Sequence, residues 1–380
     1  IIGPTSLDQF TPEALQQAIA ANPLASQAYQ AGSKPRIAVV TNSTYDGLCY
    51  NAEKIADEIG TAVDFLHFDE AWYAYAAFHP FYENHYGMAK GKAREQDAII
   101  FTTHSTHKLL AAFSQASMIH VRNAATRELD AERFNEAFMM HTTTSPHYGV
   151  IAACDVASKM MEGPAGESLV QEMHDEAIAF RRAMLHVRED LGRDDWWFNV
   201  WQPDKLERSL AKGDAPAPMV ARREEWYLQP EAYWHGFDGL VEDYVLIDPI
   251  KVTLLTPGLS ISGEVAEHGI PAAVLSKFLW TRGITVEKTN LYSVLFLFSM
   301  GITKGKWSTL VTELMAFKEL YDRNAPLSQA LPSLAGDYPN AYAGWGLRDL
   351  CDALHAFNQE FEVAKVMREM YVDLPTPVMT

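Results

Sequence analysis

Three apolar stretches in the first third of the chain, each running into polar residues, constrain the fold more than any other feature. They are RIAVVTN (36–42), AVDFLHFD (62–69) and DAIIFTTH (97–104). A short continuous apolar run reads as a strand buried on both faces of a parallel sheet. Between the first two lies YNAEKIADEIG, with apolar residues at helical spacing and Gly60 to close it. Strand, helix and strand in that order imply right-handed βαβ units. The polar residues then collect at the carboxyl ends of the strands: Thr41 and Asn42, then Asp69, then Ser105, His107 and Lys108. That edge of an open α/β sheet is where ligands bind. Three loops remote in sequence are therefore expected to meet in space.

Downstream, Ser145 followed by Pro146 has the chemistry of a helix start. A long helix is expected over 166–191. Its apolar residues Val170, Met173, Ala177, Phe180, Met184, Val187 and Leu191 step by threes and fours, while Glu172, Asp175, Arg181 and Arg188 face elsewhere. Core packing accounts for its methionine stripe. The segments PIKVTLLTPG (249–258), GITVEKT (283–289) and SVLFLFSM (293–300) read as strands, with helices over 271–283 and 304–323. The expected division is a large α/β domain over 1–165, a smaller α+β unit over 166–315, and the start of a further domain, helical and loop-rich, over 316–380. LAKGDAPAPMV (210–220) is the best internal loop.

The chemistry centres on Lys108. The apolar LLAAFSQASMIH behind it is expected to be a helix, which would place the lysine at a desolvated helix N-terminus where a cation is disfavoured. An amine so placed is a nucleophile that can form a Schiff base. Ser105 and Thr106 at the same turn can bind a phosphate, and His107 can stack on a ring or exchange protons with it. Asp69, at the end of an apolar strand, has an ordinary role as a helix N-cap and a chemical one as partner of a cationic ring nitrogen. Amine, acid and hydroxyls together describe a pyridoxal phosphate (PLP) site. GITKGKW (301–307) lacks P-loop spacing, and GLSISG (258–263) is no nucleophile elbow. The histidines show no metal-binding spacing, so no metal is expected. YWHGF (233–237) and DDWWFNVW (194–201) read as packing clusters.

The formal charge of −18 excludes nucleic acid and anionic membranes as partners, since both would repel the chain. No apolar run reaches membrane-spanning length. Cys49, Cys154 and Cys351 lie far apart without a CxxC pair, which fits a reducing cytoplasm. The chain begins at Ile1 without a signal peptide and ends on LPTPVMT, so it is expected to be an excerpt of a longer protein.

The stretches VVTNSTYDGLCYN (39–51), LHFDEAW (66–72), STHKLLAAFSQASMIHV (105–121), FMMHTTTSPHYG (138–149), WFNVWQPD (197–204) and IDPIKVTLLTPG (247–258) are long and specific. On them, over essentially its whole length, the chain resembles the bacterial ornithine/lysine/arginine decarboxylases, PLP enzymes of the aspartate aminotransferase fold type. The resemblance implies that Lys108 is the Schiff-base lysine and Asp69 the partner of the pyridine nitrogen. It implies that Ser105 contacts the phosphate, that His107 contacts the cofactor and that Trp72 lies near the ring. Thr143 would reach the phosphate of a neighbouring subunit, making an obligate homodimer with shared sites. Family members also carry a receiver-like N-terminal wing that builds rings of dimers. That wing, the segment with the ring-stacking histidine, and most of the C-terminal substrate loop would lie outside these 380 residues. The implied reaction is proton-consuming decarboxylation of a small basic amino acid, L-lysine to cadaverine and CO2, in acid resistance or polyamine supply. HTTTSPHYG and WQPD lean to lysine and HFDEAW to arginine, with ornithine a third choice. An aminotransferase or aldolase-like enzyme would keep the same lysine. A non-catalytic homologue is the alternative of a different class, and an intact Lys108 and Asp69 count against it.

Overall fold

Among the described residues ten short strands form three sheets. They are β1 (Ile37–Thr41), β2 (Leu48–Tyr50), β3 (Phe65–Asp69), β4 (Ile99–His104), β5 (Met118–Arg122), β6 (Asn199–Val200), β7 (Val245–Ile247), β8 (Lys251–Leu255), β9 (Lys288–Thr289) and β10 (Ser293–Leu297). This computed structural model describes residues 3–23, 34–89, 91, 97–192, 195–211 and 219–372. Most of the expected loop over 210–220, and the LPTPVMT end, lie outside them. The first sheet runs β1-β3-β4-β5, the second β6-β8-β10-β9, and the third pairs β2 with β7. β1, β3 and β4 are parallel, as the βαβ pattern requires, with Thr41, Asp69 and Thr103 side by side in register.

The crossover helix Ala52–Ile59 joins the first and second parallel strands. Asn51 caps it, its side-chain oxygen accepting from Lys54 N–H at 3.1 Å, a contact that contributes about 1 kcal/mol. Ala52, Ile55 and Ile59 recur at helical spacing and are buried, while Gly60 follows the last turn. They cover the face of the sheet that carries Leu66 and Phe68, both fully buried. The other face differs from the expectation of strands buried on both sides. Ile37 and Val39 on it are 46% and 60% exposed, and Phe101 is stacked on Phe134 from the helix Ala131–His141. A continuous apolar run says only that neither side of the pleat is polar, not that both are covered here.

Two further expectations change near Lys108. The helix that contains it spans only Thr106–Leu109, and the apolar run behind it turns through Gln115, whose φ is 75°, into β5, antiparallel to β4. Ile, Val and Met in MIHVR pair well on a pleat, and the short Ser/Gln turn between them and Lys108 ends the helix after one turn. Lys108 thus sits in the last turn of a four-residue helix and its side chain is exposed, not desolvated at an N-terminus. Likewise Ser145 and Pro146 precede the helix Tyr148–Met160, whose N-cap position is His147; they belong to the turn in which Thr143 Oγ1 accepts from Ser145 N–H at 3.0 Å. The strand expected over 283–289 shrinks to Lys288–Thr289 at the edge of its sheet.

The long helix spans Pro164–Leu191 and buries Val170, Met173, Ala177, Phe180 and Met184 as their spacing predicts. It also buries His174 and Arg181, and Arg181 was expected to face away. The Arg181 guanidinium donates to Gln202 Oε1 (3.2 Å), to the Pro249 carbonyl (3.2 Å) and to the Lys251 carbonyl (3.3 Å). It also lies 5.2 Å from the centre of the Trp226 ring. A planar fork of donors can be buried where strand-end carbonyls await partners, which apolar periodicity does not register. Arg181→Ala should therefore lower the unfolding free energy by about 3 kcal/mol or more, since it orphans buried acceptors; urea titration of the folded protein measures it.

Candidate active site

Three strand ends are tied together by Glu70, which follows β3 and is 1% exposed. Its Oε1 accepts from Asn42 Nδ2 at 3.0 Å and from Gly87 N–H at 2.7 Å, and its Oε2 meets His104 Nε2 at 3.2 Å. Asn42 follows β1 and His104 ends β4. Burial raises the Glu70 carboxyl above its ordinary range, and His104 and the amide donors pull it back. Asn42 also donates to the His85 carbonyl and accepts from Tyr50 N–H, each at 3.0 Å.

Asp69, one residue earlier, points to the opposite face of the pleat, beside Thr103, which hydrogen-bonds His67 at 3.0 Å. Its Oδ1 accepts from Ala71 N–H at 3.2 Å, the ordinary turn-capping role. The Ala71 carbonyl in turn accepts Ser105 N–H at 3.3 Å, and the Ser105 carbonyl accepts Lys108 N–H at 3.0 Å. The loops after β3 and β4 are thereby joined. Lys108 Nζ stands 5.0 Å from the centre of the Trp72 ring, a contact worth about 0.5–1 kcal/mol at an exposed position. Trp72 packs on Tyr45 at 5.1 Å, and Tyr45 lies in the loop after β1. His107 is turned otherwise: its Nδ1–H donates to the Ala116 carbonyl at 2.8 Å and pins the turn before β5. Thr143 stands on the exposed turn after Ala131–His141. The structure thus brings Asp69, Trp72, Ser105 and Lys108 to one sheet edge, directs His107 to the neighbouring turn, and sets Thr143 on a separate surface.

A second tier of charge comes from the second sheet. Lys288 Nζ pairs with buried Asp46 at 2.9 Å. Glu287 stands just before β9; desolvation raises its carboxyl and the charge of Lys108 lowers it. Below, Lys251 and Asp248 are both buried. Tyr75 donates to Asp248 Oδ2, Tyr82 donates to Asp248 Oδ1 at 2.8 Å, and the Tyr82 hydroxyl also meets His174 Nε2 at 2.9 Å.

Residues 1–306 match the family described as "Orn/Lys/Arg decarboxylase, major domain". The chain belongs to that family. It is 58% identical to Lysine decarboxylase LdcA of Pseudomonas aeruginosa over 381 aligned residues, which take in 100% of this chain and 49% of that protein. It is 43% identical to the biodegradative arginine decarboxylase of Escherichia coli over 387 residues, 100% of this chain and 51% of that protein. The solved structure of lysine decarboxylase A from Pseudomonas aeruginosa superposes with a TM-score of 0.91, covering 100% of this chain and 49% of that one. The chain therefore spans about half the length of the relatives it matches. The mixed α/β fold with its parallel sheet is the PLP fold type I of the lysine decarboxylases.

PLP is the cofactor of this family, and the residues present fit it. A primary amine lies over an indole, and a carboxylate and a hydroxyl stand on the same edge. Among the described residues Asp69 Oδ2 and Ser105 Oγ take no protein hydrogen bond, so both are open to a ligand. Glu70, Glu287, Lys251 and the Tyr75–Tyr82–Asp248 group were not singled out from the sequence. The motifs IDPIKVTLLTPG and LHFDEAW contain Asp248, Lys251 and Glu70 without marking a role for them, and an acid pair such as Asp69–Glu70 gives no sign of which member turns inward.

His174 supplies a pH test. Burial holds its imidazole well below the ordinary value, with His79 adding to the effect. The folded state keeps it neutral, while the unfolded chain takes up a proton once pH falls below about 6.5. Its contribution is thus complete above that pH and lost on acidification. Unfolding free energy measured from pH 7 down to 5 should fall, and His174→Phe should lessen that slope by about 1.4 kcal/mol per pH unit.

Proposed function

We propose that the whole protein is a PLP-dependent decarboxylase of a basic amino acid, L-lysine first, and that Lys108 holds the cofactor. The observation that carries this is the Lys108 amine set over Trp72 on the edge it shares with Asp69, in a chain 58% identical to LdcA along its full length. Lysine ranks above arginine because the identity to the arginine decarboxylase is 43%.

When bound, PLP supplies an electron-accepting ring for the pair left as the bond to the carboxylate breaks. The residues of the chain do the rest. Lys108 Nζ would offer the amine that holds the aldehyde and would be placed to return a proton to Cα. Asp69 would keep a proton on the ring nitrogen through its free oxygen, and Ser105 Oγ would serve the phosphate. Trp72 walls the site. His107, tied to Ala116, holds the turn behind Lys108. Glu287, whose carboxyl the charge of Lys108 lowers, is the anion assigned to the distal cation of the substrate. Loss of CO2 with protonation of Cα takes up one proton per turnover, which suits acid resistance or polyamine supply.

A homodimer is part of the reading. The helices Ala131–His141 and Tyr148–Met160 expose Phe138, Met139, Met140, Tyr148, Ile151 and Val156. An apolar surface of that extent fits a second copy, and Thr143, in the turn between the helices, would be carried toward the partner's site. Three separated, unpaired cysteines fit the cytoplasm.

The full-length protein given lysine, arginine and ornithine should release CO2 fastest from lysine; no release from any of the three overturns the reading. Lys108→Ala should abolish the visible absorbance at about 400–430 nm expected of lysine-bound cofactor. Asp69→Ala should keep some cofactor and lose most turnover, and near-normal rates would remove that role. Glu287→Gln should raise KM for lysine by about tenfold or more with a smaller change in kcat, the effect of losing one charged contact to the substrate.

A further inference from the structure

Lys251, the lysine of the IDPIKVTLLTPG motif, opens β8 and is 1% exposed. An ammonium removed from water is costly unless its partners offset the loss, and an apolar side chain of similar length would escape that cost. Burial pushes its amine down, and Asp248, Cys49 and Asp46 oppose that while Lys108 adds to it. Its hydrogen bonds all go to one place. Nζ donates to Ser43 Oγ at 2.5 Å and to the Thr44 carbonyl at 3.1 Å. Both belong to the loop that leaves β1, so the ammonium reaches from the second sheet to the ligand edge of the first.

The same loop closes on Lys251 from its other end. Gly47 has φ of 86°, and a Cβ there would fall 2.9 Å from Lys251 Cβ and 3.2 Å from Asp248 Cβ. Asp248 N–H donates to the Gly47 carbonyl at 2.7 Å. Between these anchors stands Tyr45, whose ring packs on Trp72 at 5.1 Å, and Trp72 lies under Lys108 Nζ at 5.0 Å. Asp46, the next residue, is held by Lys288 at 2.9 Å.

We propose that Lys251 is a positioning residue for the chemistry at Lys108: its ammonium fixes the 43–47 loop and, through Tyr45 and Trp72, sets where the Lys108 amine stands. The proposal rests on the reading of Lys108 as the cofactor-bearing lysine. It gives the buried charge a task that an apolar residue could not perform, because only a multiple donor can hold a hydroxyl and a carbonyl at once.

The test uses the full-length protein and the variants Lys251→Met, Lys251→Arg, Tyr45→Ala and the Lys251→Met/Tyr45→Ala double. In cofactor-free protein, reductive methylation of Lys108 followed by peptide mass spectrometry reads the setting of the amine without reference to turnover. Lys251→Met should fold with a Tm at or above that of the parent, alter the Lys108 labelling rate at least threefold, and cut kcat at least tenfold with KM within threefold. Tyr45→Ala should do the same, and the double variant should be no worse than the poorer single, as expected of residues acting along one path. Lys251→Arg, which keeps the donors, should recover part of both losses. Parental labelling and kcat in folded Lys251→Met, or losses that multiply in the double, overturn the proposal. Should Lys251→Met fail to fold, Ser43→Ala removes one anchor and leaves the charge in place; unchanged labelling and kcat there overturn it too. If the parent protein forms no linkage between PLP and Lys108, the reading of the site fails, while the labelling comparison still decides the positioning chain.

Discussion

One buried carboxylate organises the ligand edge. Glu70 takes donors from beyond β1, from the loop holding Gly87 and from the end of β4. A carboxylate removed from water is destabilising by several kcal/mol, and charge-assisted hydrogen bonds of about 1.5–3 kcal/mol each offset that only when several are made together. The clamp therefore tolerates little movement among the three strand ends. Its neighbour Asp69 inherits the consequence. With Glu70 fixed inward, the pleat turns Asp69 to the opposite face beside Thr103. The two acids of HFDEAW thus divide their work: one is consumed in holding the edge and the other keeps an oxygen free.

The parallel core was legible because its signal is local. Apolar runs of strand length, a capped helix between them and polar residues at their ends fixed β1, β3, β4 and the place where loops converge. The long helix and the β8–β10 pair were legible for the same reason. What failed to show was whatever depends on a partner distant in sequence. β5 hid inside a run that apolarity alone could not divide into turn and strand. Arg181 was counted as outward because periodicity weighs charge and not the carbonyls of Pro249 and Lys251 awaiting it. Of the candidate residues, Asp69, Ser105 and Lys108 were singled out by strand-end position and Trp72 by the family motif, and the fold sets all four along one edge. His107 lies in the same loop, but its ring is tied to Ala116. Glu287 could not be singled out, since an exposed acid beside an edge strand has no signature in the sequence.

The exposed apolar side chains bear on the same point. Ile37 and Val39 line the uncovered face of the first sheet, and Met140 and Tyr148 stand out from the helices beside Thr143. Exposed apolar surfaces of this kind mark places where another copy or further chain can pack, and the relatives that match this chain are about twice its length. The candidate ligand edge is specified at its base by Glu70 and by the Asp248–Lys251 region. A site shared between surfaces needs each half to hold its own geometry before they meet.

The charges near Lys108 carry the selectivity argument further. Lys251 is opposed by Asp248, and Lys288 is paired with Asp46. These two lysines are spent on holding loops, so neither presents an uncompensated cation to a ligand. Among the described residues Glu287 makes no salt bridge, and the charge of Lys108 lowers its carboxyl against desolvation. On the proposed function, a Lys108 that held the cofactor would leave that carboxylate as the unmatched charge of the site. An unmatched, partly desolvated anion favours a substrate that brings its own cation and disfavours neutral or acidic side chains. On the proposed function, a preference for a basic amino acid would depend on how the other lysines are neutralised as much as on Glu287 itself.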